Sequence, residues 1–238
     1  RATCALVGLK ITEWGAQGAT SKDDDCDAVE ERQIRKRGTD PSMATRGVQL
    51  NMGAKRGTND IKGSGRFFDT SHSWQANSPV PAEATSYLSQ VNQINSVQDR
   101  GLEVGGPIWR DHVWAWGSYG QNDIKNLPAV PLKAATGSPI LFPVRHITLK
   151  DSNAKINAQL IPSNAATVFF TRGDKIYLGR NTSPTRLPET GFNQSGPTTL
   201  YKLEDTQQFG TRFFLTGLAS KVDSGFQFLP AGGLDVVS

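Results

Sequence analysis

The stretch "NAKINAQLIPSNAATVFF", residues 153–170, decides how the rest of the chain is read. From 153 to 160 it alternates strictly. Ala154, Ile156, Ala158 and Leu160 are apolar, and Asn153, Lys155, Asn157 and Gln159 are polar. A two-residue period belongs to a β-strand and puts the two sets on opposite faces. Pro162-Ser163-Asn164 supplies a turn, and 165–170 reads as the returning strand. Such a hairpin has one apolar and one amide-rich face, and what each face touches is the question for the whole chain.

Period two recurs outward from this hairpin. Strands are expected at 63–70, 96–108, 113–122, 152–161, 165–175, 199–209 and 213–228. Helical periodicity is scarce, and 83–94 admits a turn or two of helix at most. The connections alternate in length. "WRDH", "PSN" and "GTR" are tight turns, whereas 71–95, 123–151 and 176–198 are long and rich in Ser, Thr, Asn, Pro and Gly. In an up-and-down meander every second connection lies at the same end, so tight turns gather at one end and long loops at the other. A soluble sandwich has no reason to sort its loops in this way, and an outer-membrane barrel does.

Aromatic residues crowd the tight-turn end. Trp109, Trp114 and Trp116 flank the first turn, Phe169 and Phe170 follow the second, and Phe209, Phe213 and Phe214 bracket the third. Trp109, Trp114, Phe169, Phe209 and Phe213 are therefore candidates for an interfacial aromatic girdle. In that arrangement Ala154, Ile156, Ala158 and Leu160 face lipid, and Lys155, Asn157 and Gln159 face a wet lumen. Hydrocarbon cannot satisfy free backbone groups, so such strands belong to a closed barrel.

Composition fits this reading and excludes others. The chain has 238 residues, 37% of them hydrophobic, with a formal charge of +4. No apolar run approaches the length of a membrane-spanning helix, which leaves strands of about 10 residues as the means of crossing. The basic residues are dispersed, and the one dense run, "RQIRKR" at 32–37, lacks an aromatic stacking platform, so no nucleic acid is expected as a partner. Cys4 and Cys26 form no disulfide framework and read as incidental thiols. His72, His112 and His146 have no carboxylate or cysteine at ligand spacing. "DDDCD" at 23–27 lacks the glycine-centred loop of a calcium site. "GLEVGG" at 101–106 follows no helix signal, and its glycines suit a packed barrel wall better than a dinucleotide loop. No nucleophile elbow occurs, so neither a cofactor nor an enzyme activity is expected.

"GVQLNMGAKRGTNDIKGSGRFF", residues 47–68, resembles the plug-to-barrel junction of TonB-dependent outer-membrane receptors of the Oar-like group. The match runs through Val48, Asn51, Lys55, Arg56, Gly57, Thr58, Asn59, Gly63, Ser64, Arg66, Phe67 and Phe68. "QDRGLEVGGPIWRDHVWAWGSYGQNDI" resembles the second and third barrel strands, and "NAKINAQLIPSNAATVFFTRGDK" and "GPTTLYKLEDTQQF" resemble later ones. Upstream, "LVGLKITEW" is similar to a plug segment, with Gly8, Ile11 and Thr12 retained. Val7, Lys36 and Arg37 depart from the pattern, and Arg37 replaces a glycine that tolerates positive φ.

The resemblance implies a mainly β fold, an open antiparallel up-and-down meander forming part of a large transmembrane β-barrel, with a partial N-terminal plug domain. Residues 1–60 would be the C-terminal part of the plug, and 61–238 the first seven or so strands of the barrel. Lys55, Arg56, Gly57, Thr58 and Asn59 would be the plug–barrel junction. It further implies a bacterial outer-membrane location and energy-coupled passage of a bulky ligand. The partners would be outer-membrane lipid, a periplasmic TonB-type coupling protein acting through a segment absent here, and the transported ligand. A soluble or surface-attached β-sandwich that binds carbohydrate is the alternative, and Greek-key strand order would mark it.

Overall fold

The computed structural model describes residues 3–6, 9–12, 29–35, 49–76, 79–131, 145–181 and 188–233. Its strands are β1 (Thr3–Leu6), β2 (Leu9–Thr12), β3 (Val29–Arg35), β4 (Gln49–Ala54), β5 (Lys62–Ser71), β6 (Leu88–Gln90), β7 (Gln93–Trp109), β8 (Val113–Leu127), β9 (Val130–Pro131), β10 (Arg145–Ile161), β11 (Asn164–Arg180), β12 (Phe192–Phe209), β13 (Phe213–Ser224) and β14 (Gln227–Pro230). Helix among the described residues is limited to short 3-10 turns such as Ala82–Ala84, so the fold is mainly β.

The large sheet has eight strands in the order β13-β12-β11-β10-β8-β7-β5, with β14 also paired to β12. Every pairing in it is antiparallel, and neighbours follow chain order as an up-and-down meander. Gly63–Thr70 runs beside the strand holding Glu103, with Ser64 opposite it. The first four strands form a separate small sheet, order β2-β1-β4-β3, in which β1 and β4 are parallel. β6 and β9 make a two-stranded pair.

Strands β13 and β14 lie on one line. Thr198 opposes Ser224 and Ser195 opposes Gln227, which is one unbroken register. The gap between them falls opposite Pro197, whose nitrogen has no hydrogen to give to Gly225. Only the reverse bond remains, from Gly225 N to Pro197 O at 3.4 Å. The single strand expected at 213–228 is thus one strand interrupted by a proline on its neighbour.

Three tight turns close the hairpins at one end, at 110–112, 162–163 and 210–212. Asp111 has φ +66° and Gly210 has φ +63°, the left-handed corner that short hairpin loops demand. The turns do not line up perpendicular to the strands. Along the hydrogen-bonded row Tyr119–Ser152–Arg172–Thr199, these residues stand about eight, ten and twelve residues from the middles of the three turns, Tyr119, Arg172 and Thr199 being measured. That is a step of about one residue per strand. With about 3.3 Å per residue and about 4.8 Å between strands, a line through the turns makes the strands tilt by about 35°.

The burial pattern is reversed from that of an ordinary sheet. Among the described residues Ser118, Asp151, Asn153, Thr171, Lys175, Gln194, Thr198 and Lys202 are buried, and they outnumber the buried apolar residues Ala54, Ala84, Trp116, Phe169 and Leu200. The register puts these sheet residues on one face: Asn153 opposes Ser118 and Thr171, and Phe169 opposes Lys155 and Lys202. The other face carries Leu102, Val104, Ile156, Val168, Tyr201 and Leu203, all exposed. Near the third turn that face also holds Asp205, which accepts a hydrogen bond from Asn164 Nδ2 at 2.9 Å.

Candidate functional site

The polar face is covered at the tight-turn end by the segment that leaves β4. Lys155 Nζ donates to the carbonyl of Ala54 at 2.9 Å, so the lysine of the opening hairpin caps the end of the small sheet. The covered side of that hairpin is therefore its polar side. Asn157 Nδ2 donates to Thr167 Oγ1 at 2.9 Å across the hairpin, while Asn157 Oδ1 is buried without a protein partner. Gln159 turns back to the carbonyl of Pro162 at 3.3 Å. Ala154, Ile156 and Leu160 are exposed on the far side.

Residues Lys55 to Asn59 run across the sheet as a strap anchored at both ends. At one end Lys55 Nζ reaches both carboxylate oxygens of Glu103, at 2.7 and 2.9 Å. Glu103 also accepts from Ser64 Oγ at 2.9 Å and from Trp116 Nε1 at 3.2 Å. Glu103 is thus a hub joining the strap to β5, β7 and β8. At the other end Asn59 Nδ2 donates to Asp111 Oδ1 at 2.6 Å, and Asn59 Oδ1 accepts from Asp111 N at 3.0 Å and Trp114 Nε1 at 2.7 Å. The left-handed Asp111 holds its carboxylate and amide where one asparagine side chain satisfies both.

Between the anchors the strap lies flat on the sheet. A Cβ at Gly57 would meet Ala115 O at 2.3 Å, closer than real atoms approach, so only glycine permits this contact. Cavities open on both sides. One of about 360 Å³ lies between Arg56, Thr58, Trp114, Asn157 and Thr167, and one of about 280 Å³ between Glu30, Lys62, Glu103 and Trp116. The first is walled by Trp114, Ala165 and Ala166 with guanidinium, amide and hydroxyl groups at its edge, and the second by Trp116 with the charged groups of Glu30, Lys62 and Glu103. Among the described residues no group of three His, Cys, Asp or Glu side chains gathers for a metal ion.

The aromatic candidates divide. Trp109, Phe209 and Phe213 are exposed next to the tight turns. Trp109 stacks on His112, and Phe209 packs on Phe213 with ring centres 5.6 Å apart. Trp114 and Phe169 lie on the covered face instead. Trp114 is bound to Asn59, and Phe169 is 2% exposed. Phe170 takes the outward position, opposite Ala154, against Tyr201. Two adjacent phenylalanines differ in side by one residue of parity, and the sequence alone did not fix which was which.

Sequence reasoning named the strap residues but missed Glu103 and Asp111, which hold them. Their signal was weak: Glu103 is a lone acid among glycines and apolar residues, and Asp111 reads as an ordinary turn acid. No protein-family model and no curated protein matches the sequence.

Proposed function

We propose that the chain is part of a TonB-dependent outer-membrane receptor of the Oar-like group, carrying the end of the plug and the first seven strand lines of the barrel. The strap at 55–59 is then the plug–barrel junction, and the covered polar face belongs to the lumen. The protein moves a bulky ligand by physical rearrangement and catalyses no reaction.

The observation that carries this reading is the inverted sheet from β7 to β12, with lysines and amides covered on one face and leucine, isoleucine and valine bare on the other, whereas on the edge strand β13 Leu218 and Val222 stand bare on the polar side. Exposing large apolar side chains to water forfeits about 1.5–3 kcal/mol each, and a sheet gains that back only where hydrocarbon replaces water. The turn geometry supports the same conclusion. A tilt of about 35° is within the range of membrane barrels. The outward apolar residues reach from the turns to Leu102, Tyr119 and Phe170, about eight residues up, which at that tilt is about 22 Å of height, close to the apolar band of a membrane barrel. Consecutive strand order is what a meander barrel needs, and a Greek-key sandwich lacks it.

Spin labels test the assignment in the full-length protein in bilayers. A label at Ile156 should be relaxed by lipid-soluble oxygen, and one at Asn157 by a water-soluble reagent. Equal accessibility of the two sites would overturn the barrel and revive the soluble sandwich.

A further inference from the structure

Above the apolar band, on the side away from the tight turns, the outward face changes character within one step along each strand. On β7 the first charged outward residue beyond Leu102 is Arg100, and on β11 the first beyond Phe170 is Arg172. On β10 the first beyond Ile156 and Ala154 is Lys150, and on the edge strand β13 it is Lys221. Measured along the strands these four stand roughly ten to twelve residues from the tight turns, so with the tilt included they share one level. Arg100, Arg172 and Lys221 are exposed, and Tyr119 and Tyr201 sit just below them.

Acidic residues occur at this height too, and they lie at or beyond the basic line. Asp174 is held by Arg172, Nε to Oδ2 at 3.2 Å. Asp123 accepts from Thr148 Oγ1 at 2.8 Å and Gln121 Nε2 at 2.6 Å. Asp223 follows Lys221 one outward step higher. From β7 to β13, about 24 Å at about 4.8 Å per strand, the first charges above the apolar band are cations on β7, β10, β11 and β13 and an acid on β8, and the neighbouring edge strand β5 ends the row with Asp69, which accepts from Gln98 Nε2 at 3.0 Å. That width fits several headgroups side by side and exceeds any single free phosphate.

We infer that Arg100, Lys150, Arg172 and Lys221 bind the phosphate groups of anionic lipids in the leaflet at the long-loop end. The inference rests on the membrane reading above and adds the partner of its rim. The acyl chains cover the band, and the headgroup phosphates then stand at the height of the cations, where long Lys and Arg stems carry charge past the apolar edge. Near an anionic surface each such residue adds its own attraction for the headgroups, so the four act as one row.

The test uses the full-length protein in vesicles of phosphatidylcholine containing a minority of phosphatidylglycerol. After gentle detergent extraction the retained lipids are counted by mass spectrometry. The wild type should carry phosphatidylglycerol several-fold above its share of the vesicle, with enrichment falling as salt rises and unchanged by added inorganic phosphate. The combined variant Arg100→Gln, Lys150→Gln, Arg172→Gln and Lys221→Gln should return to the bulk ratio while inserting normally. Arg110→Gln at the opposite end should keep the enrichment. Undiminished enrichment in the combined variant, its loss on adding inorganic phosphate, or equal loss in Arg110→Gln overturns the inference and leaves the barrel standing. Failure of the wild type to insert, read by protease protection, overturns the membrane reading and this inference with it.

Discussion

Replacing Glu103 by alanine should release the strap while leaving the sheet paired. The magnitude follows from the four hydrogen bonds that end on this carboxylate. Trp116 is buried, so its indole N–H would lose its acceptor with no easy access to water, at about 1–2 kcal/mol. Lys55 is a third exposed and Glu103 is 14% exposed, so the ion pair is partly screened and is counted at about 1 kcal/mol. Ser64 is exposed and loses almost nothing. The sum is about 2–3 kcal/mol, and each 1.4 kcal/mol is a factor of ten in the population of the open strap.

Trypsin cleavage after Arg56, which is exposed and flanked by glycine, reads that population when opening and closing are fast. In the full-length protein in micelles, Glu103→Ala should raise the cleavage rate by about 30- to 100-fold. Ser64→Ala should change it by less than about twofold. Strand pairing, followed by amide exchange at Tyr119 and Thr171, should be unaffected in both. A rise below about threefold for Glu103→Ala would refute the assignment of Glu103 as the anchor. A large rise together with loss of protection at Thr171 would show the carboxylate supporting the whole sheet instead.

Three further outcomes are expected. Gly57→Ala forces a Cβ against the Ala115 carbonyl, and overpacking of this kind costs about 1–3 kcal/mol, so the strap should again open to trypsin; an unchanged cleavage rate would mean the segment does not lie flat. Ile156→Arg should lower stability in bilayers by about 2–4 kcal/mol in urea titrations, and Asn157→Arg by much less, with equal losses counting against distinct lipid and lumen faces. Pro197→Val restores an N–H facing Gly225, so β13 and β14 should fuse, and the amides of Gly225 and Gln227, which face β12, should exchange several-fold more slowly, in keeping with one added bond of about 1 kcal/mol.

The strand lines, their order and their tight turns were determined by the sequence, because alternation and turn residues are local properties. Period two over 153–160 is enough to specify a strand with unlike faces. Strand ends were less legible. β10 begins at Arg145 and β12 at Phe192, well before the alternation expected at 152 and 199, since in β10 Ile147 and Leu149 fall on the opposite face from Ala154 and Ile156 and reverse the phase, and 192–198 of β12 has Phe192 as its only large apolar residue. Only the tertiary structure decided which face is covered, because covering requires the segment after β4 to lie across β8 and β10, with Lys155 reaching Ala54 from 101 residues away. The same holds for Phe169 and Trp114, whose side of the sheet depends on register with neighbouring strands. It holds for Glu103 and Asp111 as well. An isolated acid becomes an anchor only when folding brings Lys55 and Asn59 to it, and no spacing along the chain records that meeting.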